Sequence, residues 1–152
     1  MSCALGFDVG RKRIGVAIGH PLTGLARPLD VLTMRDGTPD WTRLDAHVAD
    51  WSPAALVVGL PLTLDGGEQP ASRLARRIAE NMAARYALPV ALVDERHSSR
   101  EAAVRFAAQR AQGLRRRRDA ERIDADAAAV ILERWLATAP ADSPALAPKA
   151  TP

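Results

Sequence analysis

Five acidic residues lie at the ends of apolar segments, where a carboxylate gains nothing from packing. They are Asp8, Asp94, Glu95, Asp124 and Asp126. A carboxylate in apolar surroundings needs a compensating partner, and Mg²⁺ or Mn²⁺ prefers such hard oxygen ligands. If the fold gathers these acids in one place, their chemistry is that of a divalent metal site.

Each acid also has a purely structural interpretation. Asp8 could shape the turn that follows it, and Asp94 or Glu95 could pair with the neighbouring Arg96. Asp124 could favour a helix N-terminus through the helix dipole. The metal interpretation is favoured because the acids come from distant parts of the chain and are expected to converge.

The apolar pattern predicts the strands that carry these acids. Residues 4–9 and 14–19, joined by a Gly-Arg-Lys-Arg turn, predict a β-hairpin, and residues 26–32 predict a third strand of the same meander. The nearly continuous apolar runs at 54–60 and 89–93 are typical of strands buried on both faces.

Apolar residues at helical spacing lie between and after these strands. The predicted helices cover residues 39–51, 72–86, 98–112 and a last segment from about 123 to 136. Three meander strands followed by two helix-linked parallel strands predict an α/β fold, with a mixed five-stranded sheet and helices on both faces. Sites in such sheets form beyond the carboxyl ends of the strands.

Length and composition indicate one small domain in a reducing compartment. The 152 residues predict a folded domain at 1–137 and a disordered tail rich in Ala and Pro at 138–152. Cys3 is the only cysteine, which excludes an intramolecular disulfide and a cysteine-rich metal site. Because the sequence has neither a signal-peptide pattern nor an apolar run of roughly 20 residues, we expect a soluble cytoplasmic protein without membrane contact.

Arginine dominates the basic residues, since only Lys12 and Lys149 among the 21 basic residues are lysine. Guanidinium groups match phosphate oxygens, so we expect a nucleic-acid partner. Biased codon usage would explain the composition equally well, and the run of four arginines could be a solvated loop instead of a flap over a phosphate backbone. The candidate phosphate contacts are Arg11, Arg13, Arg96, Arg115, Arg116, Arg117 and Arg118.

Four blocks of sequence, in order, carry a family resemblance. They are residues 6–17 (GFDVGRKRIGVA), residues 58–62 (VGLPL) with Asp65-Gly66, Asp94-Glu95-Arg96, and Asp124 ahead of residues 127–132 (AAAVIL). Together they resemble the YqgF family, also called RuvX, which is associated with pre-16S rRNA processing and is similar to the Holliday junction resolvase RuvC. The resemblance extends over about residues 4–136.

This resemblance implies a fold, an activity and a set of site residues. The fold would be ribonuclease H-like, and the activity would be 5′-end processing of pre-16S rRNA by a metal-dependent nuclease that uses Mg²⁺ or Mn²⁺. Carried onto this sequence, the catalytic and metal-binding triad is Asp8, Glu95 and Asp124. Asp94 and Asp126 are the neighbouring alternatives.

The chain departs from the family pattern at two places. His97, Ser98 and Ser99 follow the Asp-Glu-Arg block where threonines are usual, and the hydroxyl groups are retained. His20 occupies a position where aspartate is common. We expect this residue, His47 and His97 to lie on the surface or behind the site rather than to act in catalysis.

Two other classes of protein fit parts of the sequence. The block from Gly6 to Gly15 also resembles the first phosphate loop of actin-like ATPases and sugar kinases, but those proteins need a second similar domain. A non-catalytic RNA-binding module would use the same basic surface, although unneeded carboxylates would repel phosphate. The residues alone do not choose between structured RNA and branched DNA, and we expect a monomer or a weak homodimer.

Overall fold

A computed structural model describes residues 2–95 and 123–138, and within them a six-stranded sheet and three helices. The strands are β1 (Ala4–Val9), β2 (Arg13–His20), β3 (Leu25–Arg35), β4 (Thr38–Pro39), β5 (Ala55–Leu60) and β6 (Val90–Asp94). The helices are α1 (Trp41–Trp51), α2 (Pro70–Tyr86) and α3 (Ile123–Thr138). The predicted helix at 98–112 and the predicted tail after residue 138 lie outside the described residues.

The order of the strands brings the candidate acids to one edge of the sheet. The strand order is β4-β3-β2-β1-β5-β6, with β1, β2 and β3 antiparallel and with β5 and β6 parallel to β1. Because β1, β5 and β6 run in the same direction, their carboxyl ends share an edge. Asp8 and the Asp94-Glu95 pair therefore lie at the edge that the sequence analysis predicts.

The sheet has one strand more than predicted, since β4 pairs with the end of β3. The turn between them, Asp36-Gly37, has φ values of 52° and 75°, which is typical of a two-residue type I′ hairpin. A strand of two residues is too short to show an alternating pattern. The Asp-Gly pair was the feature of the sequence that indicated a hairpin here. This hairpin also explains why β3 continues past its predicted end at residue 32 and reaches Arg35.

Capping residues set the beginnings of α1 and α2. The side chain of Asp40 accepts a hydrogen bond from the backbone N–H of Arg43 at 3.2 Å. Helix α1 begins at Trp41, directly after Asp40. Helix α2 begins at Pro70, two residues before the predicted start, because Gln69 and Ser72 form a reciprocal capping box and proline suits the first helical position. Ser72 is thus the third residue of the helix.

The two faces of the sheet carry side chains of different size. One face packs large side chains such as Leu5 and Phe7 of β1 against α1 and α2. The other face carries Ala4, Ala17 and Val57 and packs against α3. The predicted helices on both faces are confirmed, and within the described ranges no helix combines the length and apolar character that a membrane span requires.

Helix α3 approaches the sheet closely because glycines face it. A Cβ atom built at Gly15 would lie 1.9 Å from the backbone oxygen of Asp124, and one at Gly6 would lie 2.8 Å from the Cβ of Leu132. Real Cβ contacts are never so short, so the backbone of α3 lies where a side chain would otherwise be. The first turn of α3 is therefore held directly against β2.

We expect Gly15→Ala to destabilise the protein by more than about 3 kcal/mol, because the added methyl group must push α3 away from the sheet. Gly24→Ala is the matched control. A Cβ at Gly24 meets no atom within 4 Å, but its φ of 71° disfavours alanine, so a loss of about 1 kcal/mol is expected. Urea unfolding of both variants measures the difference, and equal losses would contradict the close approach of α3.

Candidate active site at the carboxyl edge of the sheet

Asp8 lies near the end of β1 on the face that α3 covers. Residues alternate along a strand, and Ala4 and Gly6 already face α3. Asp8 is therefore directed beneath the first turn of that helix. Its partner across the hairpin is Gly15, where an added Cβ would collide with the backbone of Asp124.

Glu95 follows β6 and lies over β5. Its backbone N–H donates to the carbonyl of Leu60 at 3.1 Å, which extends the parallel pairing by one residue. The carboxyl group occupies space above Gly59, where a Cβ would lie 2.7 Å from Oε2 of Glu95 and 2.5 Å from Cδ1 of Ile131. Glu95 is only 9% exposed, and its buried Oε2 has no hydrogen-bond partner among the described residues.

Asp8 and Glu95 form a coupled pair of carboxyl groups. Burial is the main cause that raises the pKa of each, because a charged carboxylate is poorly solvated there. The charge of Asp8 and a hydrogen bond with it raise the pKa of Glu95 further, whereas the same hydrogen bond lowers that of Asp8. The pair therefore shares a proton that resides mainly on Glu95.

Asp124 of α3 is the third acid near Asp8, and its carboxylate is bound by an arginine. Nε of Arg13 lies 2.8 Å from Oδ2 of Asp124, whose side chain is 26% exposed. Its charge nevertheless contributes to the raised pKa of Asp8. Within residues 2–95 and 123–138, no three His, Cys, Asp or Glu side chains are grouped closely enough to hold one ion. The predicted three-carboxylate cluster stays a prediction.

The two alternative acids, Asp94 and Asp126, are close to Glu95 and Asp124 along the chain. Asp94 ends β6, and its charge adds to the causes that raise the pKa of Glu95, while the opposite charge of Arg134 lowers it. The guanidinium of Arg134 also donates to the backbone oxygen of Asp94 at 3.3 Å. Asp126 is buried in the first turn of α3, with 6% of its surface exposed.

The basic turn between β1 and β2 borders this acidic centre. Arg11, Lys12 and Arg13 line a cleft of about 710 Å³ that also includes Asp124. The predicted phosphate contacts Arg11 and Arg13 therefore lie next to the acids. Arg96 and the run from Arg115 to Arg118 lie outside the described residues.

The three histidines are not part of the described site. His20 ends β2 at the opposite edge of the sheet, so its departure from the family pattern does not affect the acids. The Nε2 atom of His47 lies 2.8 Å from a carboxylate oxygen of Asp30. His97 lies outside the described residues.

Two glycines that the sequence analysis did not single out for this role shape the site. Gly59 leaves room for the carboxyl group of Glu95, and Gly15 leaves room for the backbone of Asp124. A glycine inside an otherwise apolar strand indicates a close approach of other atoms, so Val57-Val58-Gly59-Leu60 carried a usable signal. The glycine does not reveal which residue approaches it.

The raised pKa values predict that the metal-free protein becomes less stable as the pH rises. Above about pH 4 the unfolded chain loses these protons, but the folded chain keeps them on Asp8 and Glu95 until the pH passes their raised pKa values. Between pH 5 and pH 8 the free energy of unfolding therefore falls as the pH rises. Glu95→Gln removes the cost of keeping Glu95 protonated in the folded state and should stabilise the protein at pH 8 by about 1–2 kcal/mol.

Thermal unfolding between pH 5 and pH 8 in EDTA measures this effect. Glu68→Gln is the matched control, because Glu68 is exposed and a hydrogen bond from Arg76 lowers its pKa. That variant should retain the pH dependence of the wild type, whereas Glu95→Gln should flatten it. If the stability of Glu95→Gln fell with pH as steeply as that of the wild type, the raised pKa values of Asp8 and Glu95 would be contradicted.

Known proteins match this chain in sequence and in fold. A protein of Xanthomonas campestris pv. campestris (strain B100) named "Putative pre-16S rRNA nuclease" is 57% identical over 132 residues, which cover 87% of this chain and 85% of the relative. A protein of the same name from Xanthomonas axonopodis pv. citri (strain 306) is 57% identical over 133 residues, or 88% of this chain and 86% of the relative.

Solved structures agree with the predicted fold class. Thermus thermophilus RuvC in complex with a Holliday junction substrate has a TM-score of 0.54 at 18% identity and covers 91% of this chain and 97% of that one. A second Thermus thermophilus RuvC structure has a TM-score of 0.53 at 16% identity, with 90% and 96% covered. The ribonuclease H-like fold is thereby confirmed. Because the family model described as "RuvX: Holliday junction resolvase" matches residues 2–138, this chain belongs to the RuvX family.

Proposed function

We propose that this protein is a metal-dependent nuclease that processes the 5′ end of pre-16S rRNA in the cytoplasm. The observation that carries the proposal is the buried pair of Asp8 and Glu95, which includes a carboxylate oxygen without a described partner. The name shared by relatives at 57% identity supports the choice of substrate. The catalytic residues of this proposal are Asp8, Glu95 and Asp124.

The residues at the edge of the sheet fit a divalent cation. Burial raises the pKa values of both carboxyl groups more than the charge of Arg134 lowers that of Glu95. A cation would satisfy the partnerless Oε2 of Glu95. Asp8, Glu95 and Asp124 would hold Mg²⁺ or Mn²⁺, with Asp94 and Asp126 beside them. When bound, such an ion lowers the pKa of a water molecule and neutralises charge that develops on the phosphate.

The protein's own residues bind and orient the substrate. Arg11 and Arg13 lie beside the acids and would hold phosphate oxygens without reading the base sequence. Arg13 already pairs with Asp124, so a phosphate would compete with that carboxylate for the guanidinium. Glu95 carries the proton shared with Asp8, and loss of that proton prepares both carboxylates to act as ligands.

Branched DNA is the second candidate substrate, because the matching family model is described as a Holliday junction resolvase. A non-catalytic RNA-binding module is less well supported. Asp8 and Glu95 are buried at a free-energy cost and would repel phosphate in such a module. The state in solution proposed here is a monomer or a weak homodimer.

Asp8→Asn should abolish cleavage while leaving folding and nucleic-acid binding nearly unchanged, because it removes a ligand charge but retains the shape. The assay incubates protein with pre-16S rRNA and with a four-way DNA junction, each with Mg²⁺, Mn²⁺ or EDTA. Asp50→Asn, an exposed acid near the end of α1, is the control and should cleave normally. Wild-type turnover by Asp8→Asn, or cleavage in EDTA, would contradict the metal-dependent mechanism.

The run from Arg115 to Arg118 is proposed, from the sequence alone, to clamp the phosphate backbone. Each arginine that meets a phosphate releases a counterion, so losing Z contacts should flatten the logarithmic salt dependence of binding by about 0.7Z to 0.9Z. Replacing all four by alanine should therefore weaken binding to many sequences alike and retain Mn²⁺ binding. Parallel salt slopes for wild type and variant would exclude a clamp, and loss of Mn²⁺ binding would indicate a structural role instead.

A further inference from the structure

We propose that the cleft between the β1–β2 turn, the β3–β4 turn and α2 binds about one or two unpaired nucleotides next to the phosphate that is cleaved. The substrate would then be single-stranded on that side of the cleavage point. This inference rests on the proposed nuclease function and deepens it. The lining residues are Gly10, Arg11, Lys12, Arg13, Asp36, Gly37, Leu74 and Asp124.

The charges in the cleft match the parts of a nucleotide. Arg13 and Asp124 neutralise each other at 2.8 Å, whereas Arg11 and Lys12 form no ion pair with any residue of the described ranges. These two cations remain for a phosphate group. Asp36 adds a carboxylate that can accept hydrogen bonds from sugar hydroxyls or base amino groups.

The cleft also has an apolar wall and a suitable size. Leu74 of α2 is partly buried against the core and presents apolar surface to the cleft, on which a base can pack. The volume of about 710 Å³ lies within the range of small-molecule pockets. In a double helix the bases are stacked inside and cannot enter such a cleft, so the occupant must be unpaired.

Both turns that form the cleft are held in place before any ligand binds. The N–H of Gly10 donates to the carbonyl of Arg13 at 2.9 Å, and the N–H of Met34 donates to the carbonyl of Lys12 at 2.8 Å. The β3–β4 turn is held to α2, since Arg77 of α2 donates to the carbonyl of Gly37 at 2.9 Å. A cleft with fixed walls loses little conformational entropy on binding.

The position of the cleft connects it to the acids. Asp124 belongs to the wall of the cleft, and its charge also acts on Asp8. Only two residues separate Asp8 from Arg11 along the chain. A phosphate held by Arg11 and Lys12 therefore lies beside the reacting phosphate and not on a remote surface.

Binding in EDTA tests the inference without requiring cleavage. One probe is a 5′-phosphorylated tetrauridylate with a 3′-fluorescein label, and the other is a blunt 12-base-pair RNA duplex with the same label. Fluorescence anisotropy measures the binding of each probe. Lys12→Ala and Arg11→Ala should each weaken binding of the tetrauridylate by about tenfold, the effect of one lost charge-assisted hydrogen bond. The same variants should weaken binding of the duplex clearly less, by about threefold at most, because the duplex meets these cations only with its outer phosphates and its bases cannot enter the cleft.

Arg27→Ala is the matched control, since Arg27 stacks over Trp51 near the opposite edge of the sheet. It should bind both probes as the wild type does, and circular dichroism confirms that all three variants fold. Equal losses on single strand and duplex, or unchanged binding of the tetrauridylate by Lys12→Ala and Arg11→Ala, would overturn the inference. Failure of the proposed nuclease function would show separately: the wild type would bind the tetrauridylate but would cleave no RNA in the presence of Mg²⁺.

Discussion

The close contact between α3 and the glycine-bearing face of the sheet is the constraint on which the candidate site depends. Gly15 pairs with Asp8 across the β-hairpin, and its missing side chain admits the backbone of Asp124. Gly59 likewise admits the carboxyl group of Glu95. Two absent side chains thus bring acids from separate parts of the chain toward Asp8. Larger residues at these positions would leave each acid on its own element.

Gathering acids in this way has an electrostatic cost that the surrounding structure only partly offsets. Asp124 and Asp126 lie in the first turn of α3, where the helix dipole favours negative charge. Arg13 compensates Asp124, but Glu95 retains a buried oxygen without a described partner. A protein selected for stability alone would not retain this arrangement, and perturbed carboxyl groups of this kind are concentrated at functional sites.

The sequence predicts the strand ends well and the contacts between distant side chains poorly. Apolar runs located β1, β5 and β6, and parallel strands share an edge, so the convergence of Asp8 and Glu95 followed from the order of elements. The pair of Arg13 and Asp124 did not, because its members lie 111 positions apart in the sequence and no local pattern encodes such a contact. For the same reason, the residues that approach Gly15 and Gly59 became visible only in three dimensions.

In the proposed function, the β1–β2 hairpin joins reaction chemistry and substrate binding in one local unit. Asp8 is the last residue but one of its first strand, Arg11 and Lys12 lie in its turn, and Arg13 begins its second strand, which also contains Gly15, against which α3 packs. Because Arg13 binds Asp124, the turn is connected to α3 by charge as well as by packing. A phosphate that enters the cleft meets cations whose distance from the acids is set by one short turn. In the proposed mechanism the hairpin therefore sets the separation between the phosphate held by Arg11 and Lys12 and the phosphate that is cleaved.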